Sequence, residues 1–349
     1  MKYDVIIIGG GQSGLASAYF LRRSKLKYVI LDSEKTCGGS WQHAWDSLTL
    51  FSPSEYSSLP GWLMPKSDNM FPARNEVIDY LCRYEERYKF PVERPVEVKE
   101  VKKVGGSFQI IATEKTYVSR SVISATGTWN KPNIPNILGK ELFKGKQFHS
   151  ANYKIPAVFQ DQKVLIVGEG NSGAQILAEV SKVAKTVWST LKAPEFLSDD
   201  VDGRVLFDVA SDKYYAEQKG EKFNASQYNL GNIVMVPSVK EARARGVLTS
   251  KGHFTRIYKD GVIWEDGTKE AFDSIIWCTG FGYSTAYLST IVSEDEKGKI
   301  RTNGTRAVEV DGLWLVGYGG WTGYASATLI GVGRSAKHTV KEVEEYLKN

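Results

Sequence analysis

The 349-residue sequence is poor in cysteine and histidine. Its three cysteines, Cys37, Cys82 and Cys278, are odd in number and far apart, so they predict neither a disulfide framework nor a zinc site. No C-x-x-C pair occurs, which argues against a redox-active disulfide and therefore against enzymes of the thioredoxin reductase type. Cys37 is interpreted as a small apolar filler. The four histidines form no ligand cluster, and no metal site is predicted.

The sequence also lacks long apolar runs and blocks of one charge. No stretch approaches the roughly 20 apolar residues of a membrane helix, and the first apolar run is too short for a signal peptide. We therefore expect a cytoplasmic protein without membrane contact. The net charge of +5 is scattered, which suits anionic small molecules and argues against nucleic acid as a partner. The oligomeric state stays open, a homodimer included.

Glycine, in contrast, is abundant, and it forms two loops of the pattern G-x-G-x-x-G. The first loop contains Gly9, Gly11, Gln12, Ser13 and Gly14, and the second contains Gly168, Gly170, Asn171, Ser172 and Gly173. Each loop follows a short apolar run typical of a strand and precedes a helical pattern. Glycines let the backbone approach a pyrophosphate, and the helix N-terminus supplies N–H donors. Two such loops predict two dinucleotides in one chain, with hydride transfer between them.

The residues after each second strand suggest which dinucleotide each loop holds. Asp32 follows the first glycine loop by roughly 20 residues, where an acidic side chain binds an adenosine ribose, with Glu34 as the alternative. This arrangement near the start of the chain is typical of FAD. The second unit has no acidic residue at that place, and Thr190 and Lys192 are expected to make looser phosphate contacts. NADPH is therefore the expected donor, with NADH accepted as an alternative.

The order of the predicted elements indicates an α/β fold with two Rossmann-like, three-layer dinucleotide-binding domains. The predicted FAD domain comprises residues 1–155 and 281–349, because a late strand and a terminal helix return to it. The nicotinamide domain, residues 156–280, would be inserted within the FAD domain. Residues 194–250 do not fit a β-α repeat and predict either a lid or a substrate-side insertion within this domain.

Four further segments follow in a characteristic order along the chain. They are Gly38-Gly39-Ser40-Trp41, Ala125-Thr126-Gly127, Thr279-Gly280-Phe281 and the run from Phe143 to Tyr153, which fits F-x-G-x-x-x-H-x-x-x-Y with His149. Together with the glycine loops they resemble class B flavin-containing monooxygenases over nearly the whole chain. The length is similar to that of the small bacterial members.

The resemblance implies FAD and NADPH as cofactors and a small molecule with O₂ as substrates. NADPH would reduce FAD, O₂ would form a peroxyflavin, and oxygen would pass to a soft nucleophile such as a sulfide or an amine. The further residues that the resemblance places at the cofactors are Gly39, Ser40, Trp41, Ala125, Thr126, Gly127, Thr279, Gly280, Gly317 and Thr328. The alternative function is a flavin oxidoreductase or oxidase that passes electrons from NAD(P)H to a quinone or to O₂ as H₂O₂. A third possible function is that of a redox-sensing flavoprotein.

One segment departs from the family pattern. Phe51 and Ser52 stand where family members commonly place an asparagine beside the flavin, which makes them the candidate catalytic residues. Phe51 cannot donate a hydrogen bond, so we expect a shorter-lived peroxyflavin and more H₂O₂. His149 and Tyr153 are interpreted as structural.

Overall fold

The computed structural model describes residues 2–221 and 232–348. Residues 222–231, in the middle of the predicted insertion at 194–250, lie outside the described part. The strands are β1 (Lys2–Ile8), β2 (Tyr28–Leu31), β3 (Val92–Glu93), β4 (Val98–Val104), β5 (Ser107–Ala112), β6 (Thr116–Ser124), β7 (Lys146–His149), β8 (Lys163–Val167), β9 (Lys185–Ser189), β10 (Phe254–Tyr258), β11 (Gly261–Trp264), β12 (Lys269–Ala271), β13 (Ser274–Trp277), β14 (Thr302–Asn303), β15 (Arg306–Ala307) and β16 (Leu313–Leu315). The α-helices are α1 (Gln12–Leu21), α2 (Arg74–Tyr88), α3 (Asn171–Val180), α4 (Gly203–Gln218), α5 (Pro237–Ala244) and α6 (Val332–Lys348).

The first sheet is parallel in the order β16-β6-β1-β2-β3. Its central strands are apolar runs covered on both faces, as parallel strands require. Val5 and Ile7 pack under α1, α2 and α6, while Ile6 and Ile8 face the opposite layer. Strands β4, β5 and β6 pair antiparallel in chain order as a β-meander.

The second sheet is parallel in the order β7-β13-β8-β9. Helices α3 and α5 cover one face, and the antiparallel sheet of β10, β11 and β12 covers the other. The chain enters this unit after β6 and returns to the first sheet through β14, β15 and β16. The predicted α/β fold, with one three-layer domain inserted in another, is confirmed.

The predicted domain boundary at residue 155 differs from the observed strand pairing. Strand β7 pairs with β13 in the second sheet, with Phe148 opposite Ile276 and His149 opposite Trp277. The chain therefore leaves the first sheet before residue 146. A four-residue strand has too little pattern of its own to reveal which sheet it joins.

The cysteine prediction was wrong. Cys37 and Cys82 form a disulfide, with Cα atoms 5.2 Å apart across 45 residues of sequence. Helix α2 runs beside the loop that follows β2, and this tertiary packing brings the two residues together. Cys278 is free and buried, and burial raises the pKa of its thiol to about 12.

The described residues contain neither a membrane-spanning helix nor a cluster of metal ligands. None of the helices there has the length and apolar character needed to cross a membrane. No group of three or more potential metal-ligating side chains occurs in the same part of the chain.

Candidate functional site

The first glycine loop joins β1 to α1 by close backbone contacts. Gly9 has a φ of 108°, and a Cβ atom there would lie 2.5 Å from the Ala125 carbonyl oxygen. A Cβ atom at Gly14 would overlap the carbonyl oxygen of Gly9. Helix α1 begins after Gly11 without a side-chain cap. Its first N–H groups therefore stay available to an anion, as the sequence predicts.

The second glycine loop repeats this geometry between β8 and α3. Gly168 has a φ of 125°, and a Cβ atom at Gly173 would overlap its carbonyl oxygen. Helix α3 begins after Gly170, again without a side-chain cap. The structure thus contains two equivalent helix N-termini that can each bind a pyrophosphate.

Both helix N-termini open onto one cavity of about 400 Å³. The predicted site residues that line it are Gly9, Gly11, Gln12, Ser13, Asp32, Gly39, Ser40, Trp41, Phe51, Ala125, Thr126, Gly127, Asn171, Ser172 and Gly317. Residues of the first loop thus meet Asn171 and Ser172 of the second. This is the arrangement that hydride transfer between two bound dinucleotides needs.

The remaining predicted site residues do not line this cavity. They are Ser52, Gly14, Gly168, Gly170, Gly173, Thr190, Lys192, Thr279, Gly280 and Thr328. Gly14 and Gly173 instead allow close packing within their own loops, and Gly168 allows its loop to pack on the Cys278 backbone. The Thr328 hydroxyl donates to the Ala325 carbonyl oxygen at 2.7 Å, in the turns that precede α6. Ser52 is 4% exposed, and its hydroxyl pairs with that of Ser57 at 2.8 Å. Of the two candidate catalytic residues, Phe51 therefore lines the cavity and Ser52 does not.

The returning C-terminal segment completes the first loop's surroundings. The Gln12 amide donates to the Ala327 carbonyl oxygen at 2.7 Å. A Cβ atom at Gly317 would overlap the Ser13 hydroxyl. This close approach explains why a glycine stands two residues after β16 and how the segment after the last strand closes the cofactor cavity.

Asp32 lies at the cavity, where the sequence predicts a ribose partner, but it also has an unpredicted partner. The Arg94 Nε donates to Asp32 Oδ2 at 3.1 Å, and both Arg94 Nη atoms bind Glu85. Burial raises the pKa of Asp32, although the Arg94 charge acts in the opposite direction. Arg94 therefore opposes the effect of burial and orients the carboxylate at the cavity wall.

Helix α2 positions the loop that carries Gly39 and Trp41. The Arg74 guanidinium donates to the carbonyl oxygens of Trp41, at 3.1 Å, and Gln42, at 2.9 Å. A Cβ atom at Gly39 would lie 2.7 Å from the Gly11 Cα, so this loop packs directly on the first glycine loop. The Trp41 indole in turn donates to the Gln12 side chain at 3.1 Å. Sequence reasoning missed Arg74 and Arg94 because no local pattern marks them.

The Thr126 side chain is held by a group of hydroxyls behind the cavity. Its Oγ1 donates to the Ser284 carbonyl oxygen at 2.6 Å and lies 2.8 Å from the Tyr318 hydroxyl. Burial raises the pKa of Tyr318, so that hydroxyl stays protonated. The Thr126 N–H also donates to the Tyr318 hydroxyl, at 3.2 Å, so this group fixes Thr126 at the cavity wall between Ala125 and Gly127.

His149 connects the two chain segments that pass between the domains. Its Nε2 donates to the Gly280 carbonyl oxygen at 3.0 Å, and its Nδ1 accepts from the Ala151 N–H at 3.1 Å. The Phe281 ring contacts the His149 ring edge-on and stacks on Trp129, which lines the cavity. Since both ring nitrogens are used, these contacts support the structural role predicted for the histidine.

Protonation of His149 is expected to destabilise the fold. Burial lowers the pKa of His149, so the unfolded chain binds a proton at a higher pH than the folded protein does. The contribution of neutral His149 to the free energy of unfolding is complete above about pH 6.5. It is lost as the pH falls towards the lower pKa of the folded protein, by about 1.4 kcal/mol for each unit by which the two pKa values differ. Urea unfolding at about pH 7 and pH 5 measures this loss. His149→Asn, which keeps an acceptor for Ala151, should flatten the dependence. An unchanged dependence in this variant would show that the loss comes from another group.

The inserted segment contacts the candidate catalytic residues directly. The Gly203 N–H at the start of α4 donates to the Phe51 carbonyl oxygen at 2.7 Å. The Phe207 ring, one turn further, packs 5.9 Å from the Phe51 ring. A Cβ atom at Gly203 would lie 2.6 Å from the Ser52 Cβ. The described part of the insertion thus covers the Phe51 side of the cavity.

Comparison with known proteins agrees with this site. The sequence profile of the family described as pyridine nucleotide-disulphide oxidoreductase matches residues 6–317. The flavin-containing monooxygenase from Stenotrophomonas maltophilia is 49% identical, with a TM-score of 0.91 over 99% of both chains. The oxidoreductase CzcO of Bacillus velezensis is 31% identical over 98% of this chain and 99% of its own. Senecionine N-oxygenase of Tyria jacobaeae is 27% identical over 83% of this chain and 60% of its own. The chain therefore belongs to the pyridine nucleotide-disulphide oxidoreductase family, among the flavin-containing monooxygenases, which depend on FAD and NADP(H).

Proposed function

We propose that the protein is an NAD(P)H-driven monooxygenase that oxygenates a sulfide or an amine. One oxygen atom of O₂ enters the substrate, the other leaves as water, and NAD(P)H with one proton supplies the two electrons. The observation that carries the proposal is the shared cavity, onto which the N-termini of α1 and α3 both open. The relationship to a flavin monooxygenase and to an N-oxygenase supports the substrate class.

The residues present fit the two cofactors. The glycines of the first loop leave a cradle that a side chain would fill, and Asp32 lies at its edge for the ribose. FAD, when bound there, accepts hydride and activates O₂. The cavity in which the two rings would lie is lined by Trp41 and Asn171 and by apolar groups, including Phe51 and Trp129. These groups exclude water from the reacting atoms.

The direct test is the reaction of the FAD-loaded protein with NADPH, O₂ and methyl phenyl sulfide. Sulfoxide and H₂O₂ are measured against the NADPH consumed. The proposal requires sulfoxide that depends on all three reactants and on bound FAD. NADPH consumption without oxygenated product, with both sulfides and amines, would refute it.

The second candidate function is an oxidase that releases H₂O₂ or reduces a quinone. The observation that favours it is Phe51, which places an apolar ring at the cavity with its own contact to Phe207. A ring without a donor cannot hold activated oxygen by a hydrogen bond. In the assay above, H₂O₂ equal to the NADPH consumed, without sulfoxide, is the result that this function predicts.

Phe51→Asn should shift the protein towards oxygenation. An amide at this position can donate one hydrogen bond, and a bond of roughly 1 kcal/mol slows a competing loss of H₂O₂ about fivefold. We expect less H₂O₂ and more sulfoxide per NADPH. Phe51→Leu is the matched control, because it opens similar space beside Phe207 without supplying a donor. Equal product ratios in both variants would show that the amide has no such role.

The homodimer and the cytoplasmic location remain proposals. Sedimentation of the FAD-loaded protein tests the first. The Cys37–Cys82 disulfide bears on the second, because disulfides persist mainly in oxidising compartments. Alkylation of thiols in intact cells, followed by isolation of the protein, shows whether this bond exists at its natural location.

A further inference from the structure

The hydroxyl groups at the end of β9 are already used within the protein. The Ser189 hydroxyl donates to the Gly252 carbonyl oxygen at 2.9 Å, and the Thr190 hydroxyl pairs with that of Ser250 at 2.7 Å. Both residues are at most 3% exposed. Thr190 is thus not placed for the phosphate contact predicted from the sequence, while Lys192 is exposed beside it.

An acidic side chain from another part of the chain occupies this place. Glu169 is the second residue of the second glycine loop, and its Oε2 accepts from the Leu191 N–H at 3.3 Å. Because β8 and β9 are parallel neighbours, with Val167 opposite Ser189, their carboxyl ends bring Glu169 and Leu191 together. In a Rossmann unit the end of the second strand is where the adenosine ribose is bound. The sequence pattern does not reveal this carboxylate, because an acidic ribose partner is expected at the end of β9 and Glu169 precedes that strand.

The side chains around Glu169 define what this end of the site can bind. Leu191 is 76% exposed and offers an apolar surface beside the carboxylate, as an adenine ring requires. A ribose with a free 2′-hydroxyl can donate to the Glu169 carboxylate. A 2′-phosphate would instead bring like charge close to it, an arrangement that is unfavourable at short distance. Lys192 supplies charge of the opposite sign.

We propose that Glu169 is a specificity-determining residue of the nicotinamide dinucleotide site, and that it disfavours the 2′-phosphate of NADPH and accepts the 2′-hydroxyl of NADH. This inference rests on the proposed function, in which the second glycine loop binds the nicotinamide donor. The opposing charges of Glu169 and Lys192 let one site accept both donors. The ratio between the two donors then depends on the charge of Glu169.

Binding of two fragments to the FAD-loaded protein tests the proposal without turnover. The probes are adenosine 2′,5′-bisphosphate and 5′-AMP, measured by titration calorimetry. Glu169→Gln keeps the size of the side chain and an acceptor for Leu191. It should bind the bisphosphate about tenfold tighter, or 1.4 kcal/mol, while binding of 5′-AMP stays constant or weakens. The gain should shrink between about 50 mM and 500 mM salt, because salt screens exposed charges.

Lys192→Gln is the matched control with the opposite sign. It should weaken bisphosphate binding and leave 5′-AMP unchanged. In steady-state reduction of the flavin, the kcat/KM ratio of NADPH to NADH should rise about tenfold in Glu169→Gln. A fragment ratio that Glu169→Gln leaves unmoved, with both donors still reducing the flavin, would overturn this inference alone. If neither donor bound to the wild-type protein or reduced its flavin, both this inference and the proposed function would be refuted.

Discussion

Gly14→Ala should abolish the retention of FAD, whereas Gly173→Ala should leave FAD in place and remove the response to the nicotinamide donor. A Cβ atom at Gly14 would overlap the Gly9 carbonyl oxygen, and one at Gly173 would overlap that of Gly168. These carbonyls belong to loop backbone that cannot move aside without opening the pyrophosphate cradle. We expect each substitution to weaken its own dinucleotide by about a hundredfold, or 2.7 kcal/mol.

The pair of variants separates the two sites because the clashes are equivalent and the ligands differ. Alanine favours a helix over glycine, so a loss of binding cannot come from helix propensity. The flavin-to-protein absorbance ratio after gel filtration measures FAD retention, and anaerobic bleaching by NADPH measures the second site. Gly320→Ala is the control, since a Cβ atom there has no described atom within 4 Å. A Gly14→Ala protein with full flavin content would contradict the assignment of the first loop to FAD.

Loss of the Cys37–Cys82 disulfide should lower the free energy of unfolding by about 4 kcal/mol. In the chain-entropy description, a bond that closes a loop of this length removes that much freedom from the unfolded chain. The 45-residue loop contains Gly39, Trp41 and the start of α2 at Arg74. The destabilisation should therefore be accompanied by weaker FAD binding, because α2 holds the loop that packs on the first glycine loop.

Urea unfolding with and without reductant measures the effect. The oxidised protein should show one free thiol and the reduced protein three, as the disulfide and Cys278 require. The double variant Cys37→Ser, Cys82→Ser should unfold at the same midpoint with and without reductant, and Cys278→Ser should still respond to it. If the thiol count rises and the wild-type midpoint stays unchanged, the disulfide does not stabilise the fold.

Features that depend on neighbouring residues could be predicted from the sequence. The two glycine loops are such features, because the turn, the close approach to phosphate and the helix start all involve consecutive residues. The inserted topology could be predicted because a strand and a helix return after the second unit.

Features that depend on pairs of residues far apart in the sequence could not be predicted from it. Arg94 binds Asp32 across 62 residues, and Arg74 binds the Trp41 backbone across 33. Neither arginine belongs to a pattern that a single sequence displays. The same holds for Ser52, whose hydroxyl is occupied by Ser57, and for Thr190, whose hydroxyl is occupied by Ser250.

The amino-acid sequence alone determined that the chain holds two dinucleotide loops in an α/β fold, because backbone geometry at glycine and the burial of short apolar strands are local requirements. Tertiary structure decided which charges face those loops. Glu169 reaches the end of β9 only because β8 and β9 lie side by side, and Cys37 reaches Cys82 only because α2 packs on the loop after β2. Charge and covalent pairing act through distance in space, and that distance is set by how the layers pack.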